Sequence, residues 1–521
     1  AERAHLLPGV FSARIWIKQR NAQCETLLEK WAEPFSAMCA THGLETRTRD
    51  LAALCWQAWR YLIQNHPHDS ICGCSVDAVH KEMDVRFHWV EQIGEEVTRQ
   101  SLVAIAESVD TTTLSGSPLV VFNPIAGPRS DLVTARVPLP EAAGAVEVLD
   151  PDGESVPCEV VHWEQTPDTV RELDRHELEA RLARMMRGLR SGESIQAVET
   201  MVDGETAFVA VTLALLPPVV KVVERCKDTL RTLLADQSLH RFRLRLRHYG
   251  LLDVRFVAPE MPAHGHKAFA VRPLPHIARA ETLDEEPRIE NDLFLVEADP
   301  SSGTLTVTDQ VCGTVFPHLH RFVDGGDRGD EYNYCPPENG CKIATPSELP
   351  SCRVVESGPL RQTLEISQTF QVPAGLMLDR AQRSGELICL PITTRVSLSA
   401  GVPRIDFSTT VENHATDHRL RVHFPTPIAT GVSHAEGHFD VVERLLELPQ
   451  DTQDWPEQPA PTQHQRTFVD VNDGKIGLLV VNRGLPEYEV VPGEEGVTVA
   501  LTLLRCVGWL SRDDMHCRRG H

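Results

Sequence analysis

Two hydrophobic rhythms divide this chain. Up to about residue 110 the apolar positions recur every three or four residues. Leu27, Leu28, Trp31, Phe35 and Met38 share one helical face, and Pro34 marks a kink or break within it. Asp50 can cap a second helix that presents Leu51, Leu54, Cys55, Ala58 and Leu62 and stops near Asn65, because Pro67 disfavours helical geometry in the residue before it. Ser75 is placed to cap a third, long helix whose Val76, Met83, Val90 and Val97 repeat every seven residues, with Val79 and Ile93 between them. Three such helices predict an antiparallel three-helix bundle. From about residue 117 the period changes to two. Leu119–Pro124, Val146–Leu149, Leu293–Val296, Thr304–Val307, Ile392–Leu398 and Ile476–Val481 read as strands, with turns at 150–153, 299–303 and 472–474. Between them, Leu178, Leu182, Met185 and Leu189 form one helical face, and Val219, Val222, Cys226, Leu230 and Leu233 form another.

These patterns predict an α+β multidomain protein: a three-helix bundle followed by large antiparallel β-sandwich domains with a small helical insertion. The expected divisions are residues 1–112 for the bundle, 113–285 for a β domain with the helical insertion at about 165–237, and 286–521 for a large β-sandwich domain. A chain of 521 residues suffices for two to four domains. The formal net charge of −23 argues against a nucleic-acid partner, which needs clustered Lys and Arg, and it accommodates a neutral sugar. The 14 cysteines lack the tight, even spacing of a disulfide framework and read as reduced thiols, which with the lack of a recognisable targeting segment predicts a cytoplasmic protein. The longest apolar run, Ala207–Leu216, is too short to span a bilayer and is followed by Pro217 and Pro218, so no membrane partner is expected. A homo-oligomer is compatible with all of this. The first residue is Ala, and 512–521 does not read as a natural domain end, so the chain reads as a fragment at both ends.

The run Asn65-His66-Pro67-His68-Asp69-Ser70-Ile71-Cys72-Gly73-Cys74-Ser75 sets imidazoles beside a carboxylate in a short loop between two helices. A neutral imidazole ligates zinc and similar divalent ions. Here His68, with His66 as an alternative, could be a ligand, and Asp69 could be a ligand or the group that orients one. The Cys72/Cys74 spacing alone is a weak zinc signature. The plain structural alternative is a polar loop that closes the bundle, its histidines bonded to backbone carbonyls. A second constellation, Asp324-Gly325-Gly326-Asp327-Arg328-Gly329-Asp330-Glu331-Tyr332-Asn333-Tyr334, lacks the spacing of a calcium hand but carries carboxylates and aromatic faces suited to sugar hydroxyls. Its plain alternative is a solvated β-loop.

The first of these runs, continued by Val79, His80, Glu82, Met83, Arg86 and Phe87, resembles the central metal-site motif of the retaining α-mannosidases of glycoside hydrolase family 38, in particular the bacterial, mannosylglycerate hydrolase-like branch. Leu7–Arg14 is similar to the family's run into the helical region, and 412–421, 481–488 and 504–512 are similar to its β region. The resemblance covers about residues 7–512. It implies His68 as a metal ligand, Asp69 as a partner of mannose hydroxyls, Asp330 and Tyr332 as candidate substrate contacts, and Asp327 as a weaker one. His66 carries no family role. The implied cofactor is one divalent metal ion, zinc before calcium, and the implied substrate is an α-mannoside or a mannosylglycerate-type compound. Retaining hydrolysis needs a carboxylate nucleophile and an acid/base about 5 Å apart. The family carries the nucleophile, a His-x-Asp pair and other metal ligands on a barrel domain expected upstream of Ala1, so this chain by itself is expected to show little or no activity. A non-catalytic carbohydrate-binding or scaffold module is the alternative function. An unrelated zinc hydrolase using His66, His68 and the thiols would need further ligands within the chain.

Overall fold

A computed structural model describes residues 6–46, 50–139, 145–186, 192–216, 220–274, 286–338 and 340–511. Leu189, Pro217, Pro218, Val219 and the segment 512–521, on which the sequence reading also drew, lie outside the described residues. The chain is mostly β-sheet with few helices and forms two compact units. The first takes its described residues from 1–109, 282–357 and 361–521, and the second from 110–281 and 358–360.

The first unit opens with helix α1 (Ile15–Thr26), which runs through a π-helical stretch, Leu27–Ala32, into α2 (Glu33–His42). Pro34 therefore does not end the helix. It sits directly after the π-helical stretch, whose wide turn makes room for the proline ring and its missing N–H within the continuous helix. Helix α3 (Leu51–Ile63) is capped by Asp50, whose carboxylate accepts from the Ala53 N–H at 2.9 Å. After the one-turn α4 (His68–Ile71) comes the long α5 (Asp77–Ser108). Ser75 is not its cap. Val76 holds that position, and the Ser75 hydroxyl donates to the Asp69 carbonyl at 3.2 Å. Leu28, Cys55, Ala58, Leu62, Met83, Phe87, Val90 and Val97 meet in one apolar core.

The β region of this unit consists of antiparallel sheets around a second core that includes Val296, Leu364, Phe370, Val396, Leu420, Val469 and Val499. The central sheet is ordered Arg321–Gly326, His418–Pro425, Val497–Cys506, Glu487–Pro492, Gln463–His464. Another is ordered Val441–Leu445, Val432–Glu436, Phe468–Asn472, Gly477–Val481, which leaves Val441–Leu445 at an edge. Where the sequence reading separates 1–112 from 286–521, the structure joins them in one unit, because polar groups that are mutually satisfied are buried between them. Ser12 donates to Glu487 at 2.7 Å, Arg505 Nη1 donates to the Gly9 carbonyl at 3.0 Å, and Ala13 forms a β-bridge with Arg505.

The second unit pairs the sheet Ser117–Asn123, Gly265–Leu274, Ala145–Leu149, Ser155–Val156 with the sheet Arg129–Leu139, Gly250–Met261, Cys158–Glu164, and Val137, Val148, Leu252, Val254, Phe256 and Phe269 fill the core. The segment between them corrects the expected small helical insertion. Besides helices α6 (Arg175–Met186) and α7 (Val220–Ala235) it contains a four-stranded sheet, ordered Thr169–Leu173, Arg241–His248, Thr206–Ala214, Ser194–Asp203. The apolar run from Ala207 is a strand of this sheet, and it pairs in parallel with Arg241–His248, a pairing that needs the long connection α7 supplies. Leu178, Leu182, Cys226 and Leu230 cover the sheet, so the expected helical faces are buried as read while the strands beneath them were missed. Among the described residues no helix is long and apolar enough to cross a membrane.

Candidate functional site

The loop 65–75 is held from behind and open in front. Behind it, Asn65 is fully buried and donates to the Met83 carbonyl at 3.1 Å, and Arg86 donates to its Oδ1 at 3.3 Å. His66 is bonded to Asn21 at 2.8 Å, and burial pushes its pKa down, so it is a packed structural imidazole. Lys18 donates to the carbonyls of Ala13 (2.5 Å) and Cys72 (2.9 Å), and burial lowers its pKa to about 8. Arg14, in left-handed backbone geometry, donates to the Gly73 carbonyl at 3.1 Å and to Asp77 at 2.8 Å. Gly73 is required at its place, since its φ is +86° and a Cβ there would meet the Ala13 carbonyl oxygen at 3.1 Å. In front, His68 and Asp69 project from α4 with side chains 90% and 58% exposed, and their Nε2 and Oδ1 atoms are 3.6 Å apart.

Both residues line a cavity of about 410 Å³, within the size range of small-ligand sites. The turn Pro8–Phe11 supplies Val10 and Phe11 to its wall, and the 327–335 loop supplies Tyr332. Tyr332 packs with Val10, Cys72, Cys74 and Leu510, and burial raises its phenol pKa. At another part of the lining stand Arg444, Gln463 and His464. His464 stacks on His438 with ring centroids 5.5 Å apart, and burial lowers its pKa to about 4, which leaves it neutral near pH 7.

The structure thus brings His68, Asp69 and Tyr332 to one cavity. It does not bring Asp327 or Asp330 there. Asp327 is fully buried: Oδ2 pairs with Arg505 Nε at 2.6 Å, while Oδ1 accepts the N–H groups of Gly329 (2.9 Å) and Cys335 (3.0 Å). Its oxygens are committed to holding the loop, and a sugar hydroxyl cannot reach them. Asp330 closes the next turn by accepting from the N–H groups of Tyr332 (3.0 Å) and Asn333 (2.9 Å), and it does not line the cavity. Both expected contacts are loop-builders that position Tyr332.

Among the described residues no group of three or more His, Cys, Asp and Glu side chains could hold a metal ion. His68 and Asp69 offer one imidazole and one carboxylate. Burial raises the Cys72 thiol pKa and pushes that of Cys74 up to about 12, so neither presents a thiolate at neutral pH. These residues do not complete a coordination sphere.

Lys18, Arg14, Arg444 and His464 escaped the sequence reading. Arg444 left one trace: in the strand Val441–Leu445 it occupies an inward position of the alternating burial pattern, where an apolar residue is the norm.

Comparison with known proteins places the chain. The description "Glycosyl hydrolases family 38 C-terminal domain" matches residues 289–515, and "Alpha mannosidase middle domain" matches residues 5–105. The chain is 28% identical, over 97% of its length, to a protein of Halalkalibacterium halodurans named "Putative mannosylglycerate hydrolase", and covers 52% of that protein. It superposes with a TM-score of 0.72 and 27% identity on a crystal structure of a glycosyl hydrolase family 38 protein from Enterococcus faecalis, over 97% of this chain and 54% of the other. With an α-mannosidase from Enterococcus faecalis V583 the TM-score is 0.71 at 27% identity, covering 98% and 53%. The chain spans about half the length of these relatives. It belongs to glycoside hydrolase family 38, whose middle and C-terminal domains it carries.

Proposed function

We propose that this chain forms the middle and C-terminal part of a retaining, metal-dependent exo-acting glycosidase on α-mannosides or mannosylglycerate-type compounds, and that the His68/Asp69/Tyr332 cavity is its share of the sugar site. The observation that carries the reading is the convergence of an exposed imidazole, an exposed carboxylate and a tyrosine, drawn from two distant loops, on one ligand-sized cavity. Asp69 would accept hydrogen bonds from sugar hydroxyls, and the Tyr332 ring gives the apolar face of a pyranose a surface to lie on. His68 would supply one ligand to a zinc ion whose other ligands come from beyond the described residues; a bound divalent ion polarises substrate oxygens and orients the ring. The nucleophile and acid/base are likewise assigned beyond the described residues. The 13 cysteines of the described residues are all free, which supports a reducing, cytoplasmic setting.

Among the described residues that line the cavity Asp69 is the only Asp or Glu, whereas retention needs two carboxylates. That observation favours, for the chain taken alone, the second reading of a carbohydrate-binding module without catalysis. Titration with methyl α-mannoside, followed by saturation-transfer NMR with and without zinc, tests the first half of the proposal: binding is expected, and Asp69→Asn should weaken it about tenfold or more, the range for a charged hydrogen bond. Absence of binding, or indifference to Asp69→Asn, overturns it. Incubation with an aryl α-mannoside tests the second half, with little turnover expected. Substantial turnover by the chain alone would put the catalytic carboxylates inside it.

A further inference from the structure

Arg444 lies at the part of the cavity lining formed with Gln463 and His464 and has no part in the sugar contacts assigned above. It is half-buried on the inward face of an edge strand, paired in register with Ser433. One of its five N–H donors is engaged: Nη1 donates to the Tyr488 hydroxyl at 3.2 Å, and that hydroxyl is itself bonded to Ser433 Oγ at 3.1 Å. Tyr488 is 1% exposed, so the guanidinium is anchored by a rigid partner. No carboxylate pairs with it among the described residues, in a protein where Arg419, Arg421, Arg466 and Arg505 all do. An unneutralised guanidinium beside a ligand-sized cavity presents a planar fork that suits a carboxylate in two-point contact. Local positive charge is what an anion would need to enter this cavity, since the chain as a whole carries −23. His464 next to it, tilted against Phe11 with ring centroids 4.9 Å apart, is a neutral ring near pH 7 and adds no second charge beside the guanidinium.

We infer that Arg444 is a specificity-determining residue that receives a carboxylate on the aglycone, making the preferred ligand an α-mannoside of a small hydroxy acid such as glyceric acid. This rests on the reading of the cavity as a mannoside site and assigns a different residue to a different part of the ligand.

The test compares three probes on the 521-residue chain by calorimetry: α-mannosyl-glycerate, its methyl ester, and free glycerate. The wild type is expected to prefer the free acid over the ester about tenfold or more, the range for one charged bond, and the preference should shrink with added salt. Arg444→Met should bring acid and ester to near parity. Arg444→Lys, which keeps charge and stem but loses the fork, should retain a reduced preference and guards against a folding defect in the first variant. Equal binding of acid and ester by the wild type, or an unchanged preference in Arg444→Met, overturns the inference and leaves the mannoside reading standing. Arg444-dependent binding of glycerate with no binding of either mannoside overturns the mannoside reading and leaves the carboxylate site standing. No binding of any probe overturns both.

Discussion

Arg505 and Asp327 meet across 2.6 Å with no accessible surface on either side chain. The same guanidinium donates to the Gly9 carbonyl, which leads into the helical region, and to the carbonyls of Asp330 and Asn333, which shape the Tyr332 turn. One arginine therefore locks a helical entry segment, a β-loop and the strand Val497–Cys506 together beneath the cavity. Breaking a buried pair by removing one partner leaves an uncompensated charge, so Arg505→Leu is predicted to destabilise the protein by about 3–5 kcal/mol. Arg505→Lys should recover only part of this, because a point charge cannot serve four acceptors in a plane. Urea unfolding of both variants, read by far-UV circular dichroism, measures the difference. A loss below about 1 kcal/mol for Arg505→Leu would show that the network is not what joins these segments.

Gly9 sits where a side chain has no room. A Cβ would meet the Tyr332 carbonyl oxygen at 2.7 Å, Asn333 Cα at 2.8 Å and Arg505 Nη1 at 2.9 Å. Gly9→Ala should therefore displace the Tyr332 turn. A stability loss of about 1–3 kcal/mol, typical of overpacking, is expected together with weaker mannoside binding. Thermal unfolding and ligand titration on the same sample check both effects, and a variant that lost stability with unchanged affinity would separate the turn from the site.

Lys18 should act on the His68 loop through the Cys72 carbonyl. Lys18→Met leaves two buried carbonyls short of a donor, at about 1–3 kcal/mol of desolvation penalty. Faster hydrogen exchange at the amides of 70–74 is the expected signature, with the amides of α5 unaffected. The pH dependence has a definite sign. Burial lowers the folded-state pKa of Lys18 from 10.5 to about 8, so the unfolded chain binds more protons between those values. Wild-type stability should rise, relative to Lys18→Met, as pH goes from about 8 to 10.5. A flat difference would contradict the burial.

His418 should behave oppositely. Burial disfavours its cation, but hydrogen bonds to Asp324, whose oxygen lies 2.5 Å from Nδ1, and to Cys506 outweigh that and raise its pKa to about 9. Its stabilisation is complete below about pH 6.5 and is lost as pH rises through about 9. The imidazole ring signals in a two-dimensional NMR titration should report a cation at pH 7.5. Relative to His418→Asn, the wild type should lose stability between pH 6.5 and 9. A neutral ring at pH 7.5 would show that burial outweighs the hydrogen bond to Asp324, whose other oxygen pairs with Arg383 at 2.5 Å.

Much of this was legible in residue order. The Asp50 cap, the seven-residue spacing of Met83, Val90 and Val97, and the strand at Leu293–Val296 each depend on neighbours within one turn or one pleat, and Met83, Val90, Val97 and Val296 are buried in the cores. The 65–75 motif pointed to the cavity because its residues are contiguous. The runs 412–421 and 481–488, similar in sequence to the family's β region, meet through the buried pair of Arg419 with Glu487.

What escaped depends on partners far away in the chain. Asp327 and Asp330 look like ligand carboxylates in sequence; only the arrival of Arg505 and the closing of the loop commit both oxygens of Asp327, and the same loop takes Asp330 Oδ1 into its next turn. The strands hidden beneath the expected helical insertion needed the parallel pairing of Thr206–Ala214 with Arg241–His248, which no local period encodes. Arg444 was one charge among many until the fold set it beside His464. Sequence by itself determined the helical and strand character of most segments, the Asp50 cap and the family to which the chain belongs, because these are written in short-range periodicity and contiguous motifs. Tertiary structure alone decided which polar groups face a ligand and which are consumed in holding the loops, because whether a buried charge is free or paired depends on segments hundreds of residues apart.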